Sequence, residues 1–253
     1  MRPCGAIAIG SIGFALMLIG AEPKKPEPPA ITAIAPLGIE PGVKTKLTVR
    51  GLRLDTATEV RCQEPKATAK LLKKSKVGAP NPQDLQRIGD TQVEAEVMLP
   101  SDYPNRTVTV TVMTPGGESP ARALLVERAP IVEEKEPNNG FRQAQRIALP
   151  SEVGGRIEAS KDVDLYRFEG KAGQKITVEI SAARFGSTLD ALATLYDGEG
   201  RILASNDDAP THSDPILEAR LPKDGAYYVG VIDANDEGGP TYLYRLGLRL
   251  HAP

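Results

Sequence analysis

The chain has 253 residues, with 31 Lys or Arg against 33 Asp or Glu, a formal net charge of −2 and a pI near 5.9. That balance excludes the broad cationic surface of a nucleic-acid binder. Trp is absent and aromatic residues make up 4%, so rings for stacking on bases or sugars are scarce, while 24 Gly and 22 Pro punctuate a strand-and-turn protein.

In chain order, residues 1–21 read MRPCGAIAIGSIGFALMLIGA. One Arg, an apolar run from Gly5 to Gly20 and a small residue at Ala21 form the pattern of a secretory signal peptide. The run is short and broken by Gly and Ser, so no membrane span is expected in the mature chain. A secreted, periplasmic or cell-surface location follows. Loss of the leader removes Cys4 and leaves Cys62 alone, which rules out an intrachain disulfide. Residues 22–30, EPKKPEPPA, form a Pro-rich, semi-rigid tether.

A first domain is expected over 31–128. KLTVRG (46–51), TQVEAEVMLP (91–100), TVTVTVM (107–113) and ARALLVE (121–127) read as strands. In the third, Val108, Val110 and Val112 share one face and three threonines the other, the alternation of a half-buried strand. Residues 63–90 give no decisive pattern: ATAKLLKKSK fits a strand, a short helix or an insertion, and its basic run KLLKKSK (70–76) reads as a solvated loop or short helix face. A second domain is expected over 129–253. DLYRF, KITVEIS, LATLYD, RILAS, PILEARL, AYYVGVI and TYLYRLGLRL are short strands separated by turns such as DGEG and KDG. Such spacing predicts an all-β sandwich or barrel.

The stretch EEKEPNNG (133–140) has no apolar period but is rich in oxygen donors. Glu134, Glu136, Asn138 and Asn139 stand there, and Asp162 and Asp164 follow in KDVDLYRF. In an extended strand the two aspartates point to one side. If the loop folds over that strand, the set suits Ca2+, which takes about 6–8 oxygens. Zn2+ is poorly served, since only His212, His251 and one thiol remain. The competing reading is a solvated acidic linker between domains. SNDD (205–208) reads as a turn.

The order EKEPNN, GGRIEASKDVDLYRFEGKAGQKITVEI, LDALATLYDGEGRILASNDD, LPKDGAYYVGVID and YLYRLGL resembles the bacterial pre-peptidase C-terminal domain over roughly 133–250. The resemblance implies a jelly-roll-like β-sandwich appended to secreted enzymes, as in the collagen-binding domains of clostridial collagenases. It also implies calcium held by Glu134, Glu136, Asn138, Asn139, Asp162 and Asp164. In collagen-binding relatives a tyrosine-rich strand face makes the contact, which points to Tyr228, Tyr242 and Tyr244 as a ligand surface; the alternative is that these rings cap the core with hydroxyls in water. ITAIAPLGIEPGVKTKLTVRGLRL with VTVMTPGGESPARALLVE resembles an Ig-like IPT/TIG module, implying an N-terminal Ig-like sandwich.

Catalysis finds little support. His212 sits in a turn-like loop, His251 lies near the end, and no G-x-S-x-G occurs. The expectation is therefore no enzyme, but an exported calcium-binding module for adhesion to an extracellular polymer or protein surface. The alternatives are a spacer or folding appendage, which a partner secreted enzyme would use, and more distantly a secreted hydrolase.

Overall fold

A computed structural model describes residues 26–78 and 84–252. The leader expected over 1–21 lies outside them. The chain is all-β. Its first sheet has the order β1-β3-β6-β5, formed by β1 (Ala30–Ala35), β3 (Thr45–Leu52), β6 (Thr91–Met98) and β5 (Thr68–Lys76). Opposite it runs β2-β9-β7-β4, formed by β2 (Gly38–Ile39), β9 (Arg122–Val126), β7 (Thr107–Thr114) and β4 (Glu59–Cys62), with β8 (Gly117–Glu118) beside β7. Leu47, Val49, Val93, Val97, Val110 and Val112 fill the space between these two sheets. The alternation of TVTVTVMT explains this directly, since Val108, Val110 and Val112 all point into that core. Each such side chain contributes about 1.5–3 kcal/mol by leaving water.

The structure decides the open segment as a strand and corrects the loop or helix-face reading of 70–76. That stretch is most of β5, an edge strand paired with β6. Lys70 stands opposite Glu96 and Lys73 opposite Glu94. The pattern hid this strand because only Ala69 and Leu71 turn toward the first core while the lysines face outward, and lysines on an edge strand discourage further pairing.

Residues 131–251 build a second pair of sheets. One has the order β10-β12-β19-β14-β17, from β10 (Ile131–Glu133), β12 (Ser151–Arg156), β19 (Leu243–His251), β14 (Lys175–Ser181) and β17 (Ile216–Arg220). The other runs β11-β13-β18-β15-β16, from β11 (Gln145–Arg146), β13 (Asp164–Gly170), β18 (Gly225–Asp233), β15 (Ala191–Asp197) and β16 (Ile202–Asn206). Ile176, Val178, Ile180, Leu195, Val229, Val231, Leu246 and Leu248 pack between them.

The two sandwiches touch. Ala33 and Leu37 of the first pack on Leu243 of the second, with Phe185 at the margin. Beside this patch the buried Arg245 guanidinium meets Glu127 at 2.7 Å and also pairs with Glu152. Among the described residues, no helix is long and apolar enough to cross a membrane.

Candidate metal centre

Ladder register sets the site. Strand β10 lies parallel to β12 and delivers the chain to Glu134, whose N–H donates to Gly154 O at 3.0 Å. The following loop folds over the start of β13, where Leu165 N–H donates to Asn138 O at 3.2 Å. One carboxylate oxygen from each of Glu134, Glu136 and Asp164 then lies within 4.8 Å of the others. Asp164 and Asn138 are fully buried, whereas Glu136 is exposed.

Two tyrosines from opposite sheets reach the same point. Tyr166 on β13 and Tyr244 on β19 bring their hydroxyls within 2.6 Å of each other. Each lies 2.9 Å from Glu134 Oε1, and Tyr244 lies 2.6 Å from Asp164 Oδ2. Two hydroxyl protons therefore serve three acceptor positions. Gly155, opposite Tyr244 in the β12–β19 ladder, makes the approach possible: a Cβ there would stand 2.4 Å from the Tyr244 ring and hydroxyl.

The electrostatics are unfavourable as the residues stand. Burial, then the adjacent Glu134, pushes the Asp164 carboxyl up to about 10. Burial also raises Glu136, reinforced by the nearby Asp162, Glu134 and Glu158 charges. Both tyrosines are held well above their usual range, first by burial and then by the surrounding charges, so they stay neutral donors. Two buried acceptors have no donor at all, Asn138 Oδ1 and Asp164 Oδ1. Buried acceptors are ordinarily paired, so both mark a place where a positive partner fits.

The six residues expected to act as ligands all come to this end of the sandwich, with different engagements. Glu134, Glu136 and Asp164 form the carboxylate group, and Asn138 is bonded to Glu134 and Glu136 beside it. Asp162 lies outside β13, in a turn where Lys161 has φ 62°, and so does not share a strand face with Asp164 as its spacing implied. Its carboxylate accepts from Glu158 N–H, Val163 N–H and Asn139 Nδ2, which braces the loop. Sequence reasoning missed Tyr166, Tyr244 as a site neighbour, and Gly155.

The tyrosine surface needs correction. Tyr242 and Tyr244 are buried in the second core and offer no face to a ligand. Nor is the Tyr244 hydroxyl in water, because it points inward to Asp164. Inward orientation in β19 follows from its register with β12 and β14, which sequence alone does not give. Tyr228 is half-buried and packs edge-on against Phe141 at 4.9 Å, and Tyr196 meets the same ring at 5.3 Å.

Residues 162–233 match the bacterial pre-peptidase C-terminal domain. This domain is a non-catalytic β-sandwich module. A probable subtilase-type serine protease of Deinococcus radiodurans is 34% identical over 123 residues, covering 46% of this chain. The match spans 17% of that protease. Among solved structures, the pre-peptidase C-terminal domain of a Bacillus anthracis collagenase aligns at 18% identity and a TM-score of 0.33, over 42% of this chain and 94% of that one. PliG of Aeromonas hydrophila, a periplasmic inhibitor of g-type lysozyme, aligns at 19% and 0.35, over 43% of this chain and 96% of the other.

Proposed function

We propose that this chain is an exported, non-catalytic module in which calcium, held by Glu134, Glu136, Asn138 and Asp164, stabilises the second sandwich for attachment to an extracellular polymer or protein surface. The carrying observation is that two buried oxygens, Asn138 Oδ1 and Asp164 Oδ1, lack donors, on residues that belong to or are hydrogen-bonded to a group of three carboxylates. A hard divalent cation would satisfy both and offset the carboxylate repulsion. An all-oxygen, partly flexible donor set favours Ca2+ over Mg2+, which keeps more of its water, and over Zn2+, which prefers His and Cys. Asp162 and Asn139 fix the loop that presents these oxygens. Tyr166 and Tyr244 orient Glu134 and Asp164 from beneath.

For attachment, the exposed Phe141 edge with Tyr196 and Tyr228 is the candidate surface. Export rests on the leader pattern of 1–21, and use alongside a secreted enzyme rests on the protease relative. A spacer role is the second reading, favoured by the buried Glu127–Arg245 pair that ties the two sandwiches together.

Thermal unfolding of the full chain in about 10 mM Ca2+ and then in EDTA tests the metal site. Filling to 100 times the dissociation constant raises stability by about 2.7 kcal/mol. Identical melts in the two buffers overturn the calcium reading. Pull-down on insoluble matrix polymers, with Phe141→Ala alongside, separates attachment from spacing: retention lost in the variant supports attachment, and no retention by either leaves the spacer.

A further inference from the structure

Between the two sandwiches lies a cleft of about 460 Å³, within the range of small-ligand and peptide sites. One wall is a strand edge. The β1 ladder ends where Ala35 meets Thr48, but β3 begins at Thr45. Residues 45–47 pair with β6 on one side, and on the other no strand among the described residues covers them. Thr45 and Lys46 both line the cleft. Backbone groups along an open edge are a template for another strand.

The remaining walls fit an extended chain. Gly154 and Gly155 present backbone without side chains, and Pro36, Leu37, Ile131 and Leu243 give apolar contacts. Charge selects the occupant further. Four glutamates line the cleft, Glu40, Glu133, Glu134 and Glu158, against two cations, Lys46 and Arg156. Arg156 is paired with Glu158, and Lys46 lies 2.8 Å from Glu94. Glu40 accepts the N–H of Ile131, and Glu134 belongs to the metal centre. The Glu133 carboxylate is left without an ion pair or hydrogen bond among the described residues. The excess negative charge opposes a nucleic acid. A glycan would find Tyr244 as the single lining ring, and that ring is buried.

We infer that this cleft is a peptide site, which takes an extended segment carrying Lys or Arg by adding it as a strand to the open edge of β3. Main-chain bonds to residues 45–47 give the affinity, and Glu133 gives the preference for a cation. The site is separate from the Phe141 surface; it shares Glu134 with the calcium reading, whereas the open edge of β3 and Glu133 do not rest on that reading.

The probe is a fluorescein-labelled, capped pentapeptide Thr-Val-Lys-Val-Thr, followed by anisotropy with the full chain in one fixed calcium buffer. Its counterpart with Glu at the centre is expected to bind about tenfold more weakly, and one with Pro in place of both Val residues, which lacks two backbone donors, is not expected to bind. Glu133→Lys, on an exposed side chain, should reverse the charge preference with an unchanged melting curve. Hydrogen exchange at residues 45–47 should slow when the peptide is present. Equal binding of the Pro peptide, absence of binding up to millimolar peptide, or an unaltered preference in Glu133→Lys overturns the proposal. Displacement of the peptide by cellohexaose, or cleft protection that appears only as the protein self-associates, would assign the cleft to a glycan or a second copy instead and likewise overturns it.

Discussion

Two aspartates at the same end of one sheet make opposite use of burial. Asp164 opens β13 and Asp233 closes β18, and the register places Val231, two residues before Asp233, opposite Asp164. Asp233 accepts three backbone N–H bonds at 3.0 Å, from Asp190, Asn235 and Glu237. Asp164 receives one hydroxyl, and its second oxygen has nothing. Fixed N–H dipoles satisfy a buried carboxylate permanently, which makes it a structural tie. A carboxylate among other carboxylates, with an acceptor left over, is satisfied by a proton or a cation.

The largest expected effect breaks the structural side of this comparison. Asp233→Ala leaves three turn N–H groups without their acceptor, at a cost of about 3 kcal/mol or more. Urea unfolding should show the same loss in Ca2+ and in EDTA. A loss confined to one buffer would mean that Asp233 also belongs to a cation site.

Asp164→Asn should do the reverse. Without metal the carboxyl at this position is already protonated, and Asn keeps its shape and neutrality, so stability in EDTA should stay level. The calcium increment of about 2.7 kcal/mol should vanish. Parallel melts of wild type and variant in both buffers check this, and a calcium increment that survives would remove Asp164 from the site.

Proton and cation compete for the same oxygens, so pH sharpens the contrast further. The folded Asp164 carboxyl stands near 10, above its unfolded value of about 4. The folded state therefore holds the extra proton between those values, and unfolding releases it. Linkage then gives a stability contribution that is full below about pH 4 and is lost as pH rises toward 10. Without metal, the wild type should lose more stability than Asp164→Asn between pH 5 and about 9. With calcium that extra slope should shrink, and the apparent calcium affinity should rise with pH. Equal slopes for both proteins in EDTA would show that Asp164 does not carry the proton.

Much of this was legible before any coordinates. β7 and β14 announce themselves because their β-branched residues alternate against a single core face. The acidic loop stands out because a run of oxygen donors with no apolar period has no role in a core. The register was not legible. Nothing local in YLYRLGLRL says that Tyr244 faces inward to Asp164, since a strand of alternating and near-continuous apolar residues is compatible with either orientation. Gly155 was silent for the same reason, because its value lies wholly in the tyrosine across the ladder. Asp162 departs from the expectation because the same-side spacing needs extended backbone, and the chain turns at Lys161 just before it instead.

The smallest effect falls on Glu136, the exposed member of the carboxylate group. Its Oε2 accepts the Asn138 N–H at 2.8 Å, a bond that the amide oxygen of Gln reproduces. Glu136→Gln therefore keeps the loop conformation but withdraws one negative charge from the cation. Because calcium affinity tracks ligand charge, the midpoint of a calcium titration should move to about tenfold higher concentration. The melt in EDTA should not fall, since the substitution also relieves like-charge contact with Glu134 and Asp162. An unmoved midpoint would leave Glu136 as a loop brace, with the cation held by Glu134, Asn138 and Asp164. A collapse in EDTA would instead place Glu136 with Asp233, among the carboxylates whose bonds hold the fold whether or not a metal is present.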